Sequence, residues 1–252
     1  VRGTVSLLRK SGRFKKSGGN CGAASWEAAI AAVGASSSVQ FLILGFCMGI
    51  CQGFAIMVSQ SYGAKRLDEM QTYIYAGAVW TAITAFVISI LVVVFCADIL
   101  HILQVNDEIF NDAYAYLVVI FAGIPFTLLY NYLSAILRAI GDSKTPFFFL
   151  AFSAVLNIGL DFFCILVLKW GCAGAAIATI FAQAVSGILC LLLIAFKVNV
   201  LHVPKSSRYM DKKHSIKLLA MGVPMGLQFS ITAIGSGELT GKGYNNNKVS
   251  SA

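Results

Sequence analysis

Long stretches of this chain carry no charged residue, among them Ile83–Ala97, Ala113–Leu137, Pro146–Leu160 and Trp170–Phe196. A helix that crosses a bilayer needs about 20 mostly apolar residues. The second and fourth stretches reach that length by themselves. Inside lipid, only helices and closed barrels satisfy their own backbone polar groups. Barrel strands alternate apolar and polar positions over about ten residues, and these runs do not alternate. The chain therefore reads as an all-α integral membrane protein, an up-and-down bundle of about six transmembrane helices. Composition agrees. Hydrophobic residues make up 58% of the chain and charged residues 12%, against roughly 25% charged in a globular domain.

Six spans are predicted: Val33–Tyr62, Tyr73–Ala97, Ala113–Leu137, Pro146–Leu168, Gly171–Phe196 and Leu218–Gly235. The loops between them fix an orientation. The first carries Lys65 and Arg66, the third Arg138 and Lys144, and the fifth Lys197, Lys205, Arg208, Lys212, Lys213 and Lys217. The second holds Asp98, Asp107, Glu108 and Asp112 without a basic residue, and the fourth only Lys169. Basic loops lie on the cytoplasmic side, so the first, third and fifth are expected there. This distribution accounts for the net charge of +8 and removes the reason to look for nucleic acid. The lipid bilayer is the expected partner, and the plasma (inner) membrane the expected location.

Residues 1–30 are basic, with Arg2, Arg9, Lys10, Arg13, Lys15 and Lys16, and are expected to be disordered. A basic segment on the outer face is disfavoured, which points to a span missing before Val33. No apolar stretch and cleavage site follow Val1–Lys16, so no cleavable signal is expected. Residues 31–200 would form the transmembrane unit and 201–217 a cytoplasmic basic linker. Residues 218–236 would be a further helix. The Gly- and Asn-rich stretch 237–252 is expected to be disordered.

Chemistry concentrates in the fourth span. Asn157 and Asp161 stand four residues apart, on one helix face. An ionised Asp at the middle of a membrane helix costs at least about 2.5–3.5 kcal/mol and needs a partner, a proton or a cation. Hard cations take oxygen ligands. Asp161, Asn157 and the Thr179 hydroxyl of the fifth span could supply them to Na⁺ or exchange H⁺. Gln60, Asn131 and Gln183 are candidates for lining a polar substrate cavity. Gly45, Gly49 and Gly53 repeat the GxxxG spacing of close helix packing. The seven cysteines form no CxxC pair, and most sit in apolar segments as small hydrophobes. His101, His202 and His214 are too scattered for a metal site. No HExxH, GxSxG or P-loop occurs. The chain is expected to be no enzyme and to need no cofactor beyond a coupling ion.

Taken together, several segments resemble the multidrug and toxic compound extrusion (MATE) family. They are Ala31–Ser38 (AAVGASSS), Ser59–Arg66 (SQSYGAKR), Leu137–Pro146 (LRAIGDSKTP), Asn157–Asp161 (NIGLD) and Gly171–Thr179 (GCAGAAIAT). The resemblance runs from about Ala31 to Ser236. It implies a transporter of twelve helices in two lobes, with this chain equivalent to helices 2–7 and Leu218–Gly235 opening the second lobe. It implies secondary active antiport, in which organic and often cationic drugs or metabolites leave in exchange for Na⁺ or H⁺. It also implies a cation site in the first lobe at Asn157, Asp161 and Thr179. The family adds an Asp on its first helix, and this sequence has no Asp before Asp68. The missing second lobe would be a partner. The alternatives are an exporter or flippase of lipid-linked oligosaccharide and a truncated remnant that does not transport. A flippase calls for a more basic cavity than these spans offer.

Overall fold

The computed structural model describes residues 21–102, 107–168, 171–198, 201, 203–204 and 211–249, with side chains described within 39–232. The described residues form helices: α1 (Cys21–Gly63), α2 (Leu67–Val94), α3 (Cys96–Ile102), α4 (Asp107–Ala122), α5 (Ile124–Ala139), α6 (Lys144–Phe162), α7 (Gly171–Lys197) and α8 (Lys212–Val249). A single π-helical turn, Phe163–Val167, extends α6. Four helices have the length and hydropathy to cross a membrane, and the bent pair α4–α5 makes a fifth. The sixth expected span lies on α8.

Because lipid is the solvent, the apolar residues face outward as well as inward. Phe86, Val87, Ile90 and Val94 of α2, Phe147, Phe148 and Val155 of α6, and Phe181 and Phe196 of α7 are all exposed. The core is built around α1, where Cys47, Cys51, Phe54 and Val58 are fully buried. It continues through Met70 and Tyr73 of α2, Leu117 and Phe121 of α4, and Ile124, Leu128 and Leu137 of α5.

Two turns at one end of the bundle close their helices in the same way. After α1, Arg66 N–H donates to the Ser61 carbonyl (3.0 Å) and Lys65 N–H to that of Tyr62 (2.9 Å). After α5, Asp142 N–H donates to the Leu137 carbonyl and Gly141 N–H to that of Arg138, both at 3.0 Å. These are Schellman closures, which need a left-handed residue at the turn. Gly141 supplies it at φ 93°, and Lys65 at φ 59° despite its side chain. At the same end, the Tyr132 hydroxyl of α5 donates to the Ile74 carbonyl of α2 (2.7 Å). The Tyr73 ring meets that of His214 at the start of α8, 5.0 Å between centroids. The three basic connections therefore share one end. Asp142 Oδ1 accepts from Thr145 N–H at 3.1 Å, tying down the first turn of α6. Hydrogen bonding from Thr145, its side chain first and its backbone N–H second, ahead of the Lys144 charge, holds the Asp142 carboxyl below the usual carboxylate range.

The third span differs from its expected form. It is not one rod but α4 and α5, bent by 46°. The cause is Pro125, which has no N–H to give to the Phe121 carbonyl one turn back. Ser89 of α2 fills the gap, its hydroxyl donating to that carbonyl at 2.8 Å. The kink is thus satisfied from a neighbouring helix.

The ends differ too. The backbone is helical from Cys21, inside the stretch expected to be disordered, and α8 runs on to Val249 through the Asn-rich tail. Extending an already nucleated helix costs far less than starting one, and α8 is nucleated by its packed first half. Residues 1–20, 205–210 and 250–252 lie outside the described residues, and so do the expectations placed on them.

The most extensive helix pair is α1 with α8. A Cβ on Gly49 would meet the Met225 carbonyl oxygen at 2.5 Å and Gly226 Cα at 2.6 Å. A Cβ on Gly53 would meet Gly222 Cα at 2.6 Å. Two GxxxG segments thus lie against each other, antiparallel, with backbones in contact. The α1 half was legible in the sequence. Gly222 and Gly226 complete it.

Candidate functional site

α6 and α7 are antiparallel neighbours joined by a short connection, and α6 packs mainly on α7. Their seam carries the candidate cation residues. Asn157 Nδ2 donates to Thr179 Oγ1 at 3.2 Å. Thr179 Oγ1 in turn donates to the Ala175 carbonyl at 2.9 Å. A hydroxyl has one hydrogen to give, so Thr179 meets Asn157 as an acceptor. This arrangement fixes the Asn157 amide and leaves its carbonyl oxygen outside the pair.

Asp161 lies one turn further along α6 on the same face. It is 5% exposed, and its Oδ1 has no hydrogen-bond partner among the described residues. A buried carboxylate oxygen without a donor is among the more costly arrangements a protein can hold. That makes it a candidate for holding a proton or a cation. The candidate set is one carboxylate, one amide carbonyl and one hydroxyl, all oxygen, which suits Na⁺ or H⁺ better than a transition metal. Among the described residues no three His, Cys, Asp or Glu side chains gather to hold a metal ion.

The other candidates scatter. Gln60 is exposed near the end of α1, by the Schellman turn. Asn131 of α5 turns its amide back on its own helix, Nδ2 donating to the Thr127 carbonyl at 2.8 Å. Gln183 is different. It follows Thr179 by one turn on α7, and its Oε1 is buried without a partner. Two serines missed by the sequence reading belong to the same seam: Ser153, one turn before Asn157, is 6% exposed, and Ser186 is fully buried. Their signal was the four-residue step from Asn157 back to Ser153 and the four- and three-residue steps through Thr179, Gln183 and Ser186.

Comparison with known proteins now places the chain. A probable multidrug resistance protein of Bacillus subtilis strain 168, YoeA, is 29% identical over 213 residues, covering 82% of this chain and 46% of that protein. A second from the same organism, YpnP, is 32% identical over 206 residues, covering 81% and 45%. The chain thus spans about half the length of these relatives. Among solved structures, a multidrug resistance MATE family transporter of the MOP superfamily, inward-facing, superposes with a TM-score of 0.75. It is 22% identical and the match covers 82% of this chain and 48% of that one, a likeness of fold. The profile of the MatE family matches residues 26–163. This multi-pass helical membrane protein belongs to the MatE family, the multidrug and toxic compound extrusion transporters.

Proposed function

We propose that this chain supplies helices 2–7 of a secondary active antiporter in the plasma (inner) membrane, with α1–α7 forming most of the first lobe and α8 opening the second. It exports organic, often cationic, compounds in exchange for Na⁺ or H⁺. The observation that carries this reading is Asp161, a buried carboxylate with an unpartnered oxygen beside the Asn157–Thr179 hydrogen bond. The family assignment and the multidrug resistance names of the relatives support the substrate class. The coverage of about half of each relative supports the one-lobe reading. The shared end of the three basic connections supports their cytoplasmic placement.

The mechanism follows from electrostatics. Asp161 is stable in lipid only when neutralised. Cation entry from outside neutralises it, and cation loss to the cytoplasm exposes the charge again. Each step changes the free energy of the α6–α7 seam, and two lobes rocking about a central cavity turn that change into alternating access. Asn157 gives the cation a neutral oxygen held in place by Thr179.

The test is export of a fluorescent organic cation from proteoliposomes containing the full-length protein. Asp161→Asn should abolish the response to both Na⁺ and pH gradients while the protein still elutes as a single folded species. A normal transport rate with unchanged ion dependence in that variant would sink the reading.

A further inference from the structure

Asp161 is not the only unpartnered acceptor on the α6–α7 seam. The Asn157–Thr179 bond sets the register of two antiparallel helices. One turn from it, away from Asp161, come Ser153 on α6 and Gln183 on α7, at about the same depth. Ser186 follows nearly one turn beyond Gln183. The steps are each about 4.5–6 Å along the axis. Ser153 and Ser186 are buried, and Gln183 Oε1 and Ser186 Oγ have no hydrogen-bond partner among the described residues. The series runs from Asp161 toward the end of the bundle that carries the basic connections.

We propose that Gln183, with Ser153 and Ser186, forms a second oxygen station for the coupling cation, inward of Asp161 on its way to the cytoplasm. This rests on the antiport reading above. The chemistry suits a transit point. An amide carbonyl and two hydroxyls are neutral ligands for Na⁺ or acceptors for hydronium. They lower the cost of a cation in lipid without the charge that would hold it. The Asn157–Thr179 pair lies between the charged station and the neutral one, so the cation moves between sites about two turns apart, one on either side of the pair. A purely structural pair of polar side chains would be expected to bond to each other or to backbone carbonyls, as Thr179 and Asn131 do. The Ser186 hydroxyl makes no such bond, and Gln183 Oε1, which can only accept, has no donor among the described residues.

Three variants of the full-length protein in proteoliposomes test it, with ethidium efflux driven by Na⁺ at fixed pH in one arm and by a pH gradient without Na⁺ in the other. In whichever arm drives efflux, Gln183→Leu should raise the half-saturating cation concentration by about tenfold, the loss of one ion-directed hydrogen-bonding group. Gln183→Glu should lower it, because a carboxylate holds the cation more tightly. Ser186→Ala should shift it in the direction of Gln183→Leu, by less, and serves if the leucine variant does not fold. Opposite shifts for leucine and glutamate establish the station, since a structural defect would move both variants the same way. Unchanged half-saturation in all three, or equal shifts of one sign, overturn it. Asp161→Asn is run alongside: efflux that needs no ion gradient in the unmodified protein, or survives intact in Asp161→Asn, overturns the antiport reading and the station with it.

Discussion

Where α1 meets α8, Gly49 and Gly53 bring two backbones into contact with Gly226 and Gly222. Where α6 meets α7, Asn157 and Thr179 meet through one hydrogen bond, and Asp161 beside them keeps an unpartnered oxygen. Both seams join apolar helices in lipid, but they use opposite means. The first is dry and close, and its attraction is dispersion between atoms that only glycine lets approach. The second leaves polar groups partly unsatisfied, which costs stability. In the apolar stretch of α1 44% of the residues are buried within the chain, and in that of α6 only 17%, so α6 is the more exposed of the two. Elements that bind and release ligands come from the less stable parts of a fold. The comparison therefore separates a tightly packed seam from one that leaves polar groups unsatisfied.

Replacing glycine by alanine should break the first seam. In Gly49→Ala the new methyl would lie 2.5 Å from the Met225 carbonyl oxygen and 2.6 Å from Gly226 Cα. Backbone cannot give way as a side chain can, so a loss of about 2–3 kcal/mol is expected. The buried free cysteines Cys47, Cys51, Cys96 and Cys190 provide the readout. A thiol-reactive dye should label them at a clearly lower temperature in detergent. An unchanged labelling temperature would mean that α1 and α8 do not pack backbone to backbone.

The polar seam should respond in function instead. Asn157→Ala removes a neutral oxygen and the partner of Thr179. The half-saturating cation concentration for transport should rise by about tenfold, while the labelling temperature changes little. A large fall in that temperature with unaltered ion dependence would make Asn157 a packing residue and erase the contrast between the seams.

The smallest effect is also the sharpest. Gly159 lies between Asn157 and Asp161 on the exposed side of α6, and a Cβ there would meet nothing within 4 Å. Gly159→Ala should therefore raise helix stability by up to about 1 kcal/mol, the opposite sign to Gly49→Ala. A raised labelling temperature, with transport intact, is the expected result. A lowered one would mean that this face is covered rather than exposed to lipid.

Much of this was legible in the sequence because lipid is an unforgiving solvent. Uncharged runs long enough to cross it leave few alternatives to helices, and the basic loops order them. Asn157 and Asp161 stood out for the same reason: a carboxylate on an apolar helix asks for an explanation. What stayed hidden depends on which helices become neighbours. Pro125 was passed over, and the third span was read as one rod; nothing along the chain said that Ser89 would satisfy the Phe121 carbonyl that the proline leaves free. The spacing of Gly49 and Gly53 announced a close contact, but not that Gly222 and Gly226 would receive it. Gln183 was visible as a polar residue, and only burial without a partner separated it from Asn131, which bonds to its own helix.

The π-helical turn at Phe163–Val167 begins two residues after Asp161. Leu168 N–H reaches back to the Phe163 carbonyl at 3.2 Å, closing a ring with one residue more than an α-helical turn. Such a ring is where a helix absorbs a single inserted residue. The part before it keeps its register, and the part after it is rotated by about 100°. Asp161 stands on the protected side. The end of this helix and the connection beyond it can therefore change length by one residue while the carboxylate keeps its aim.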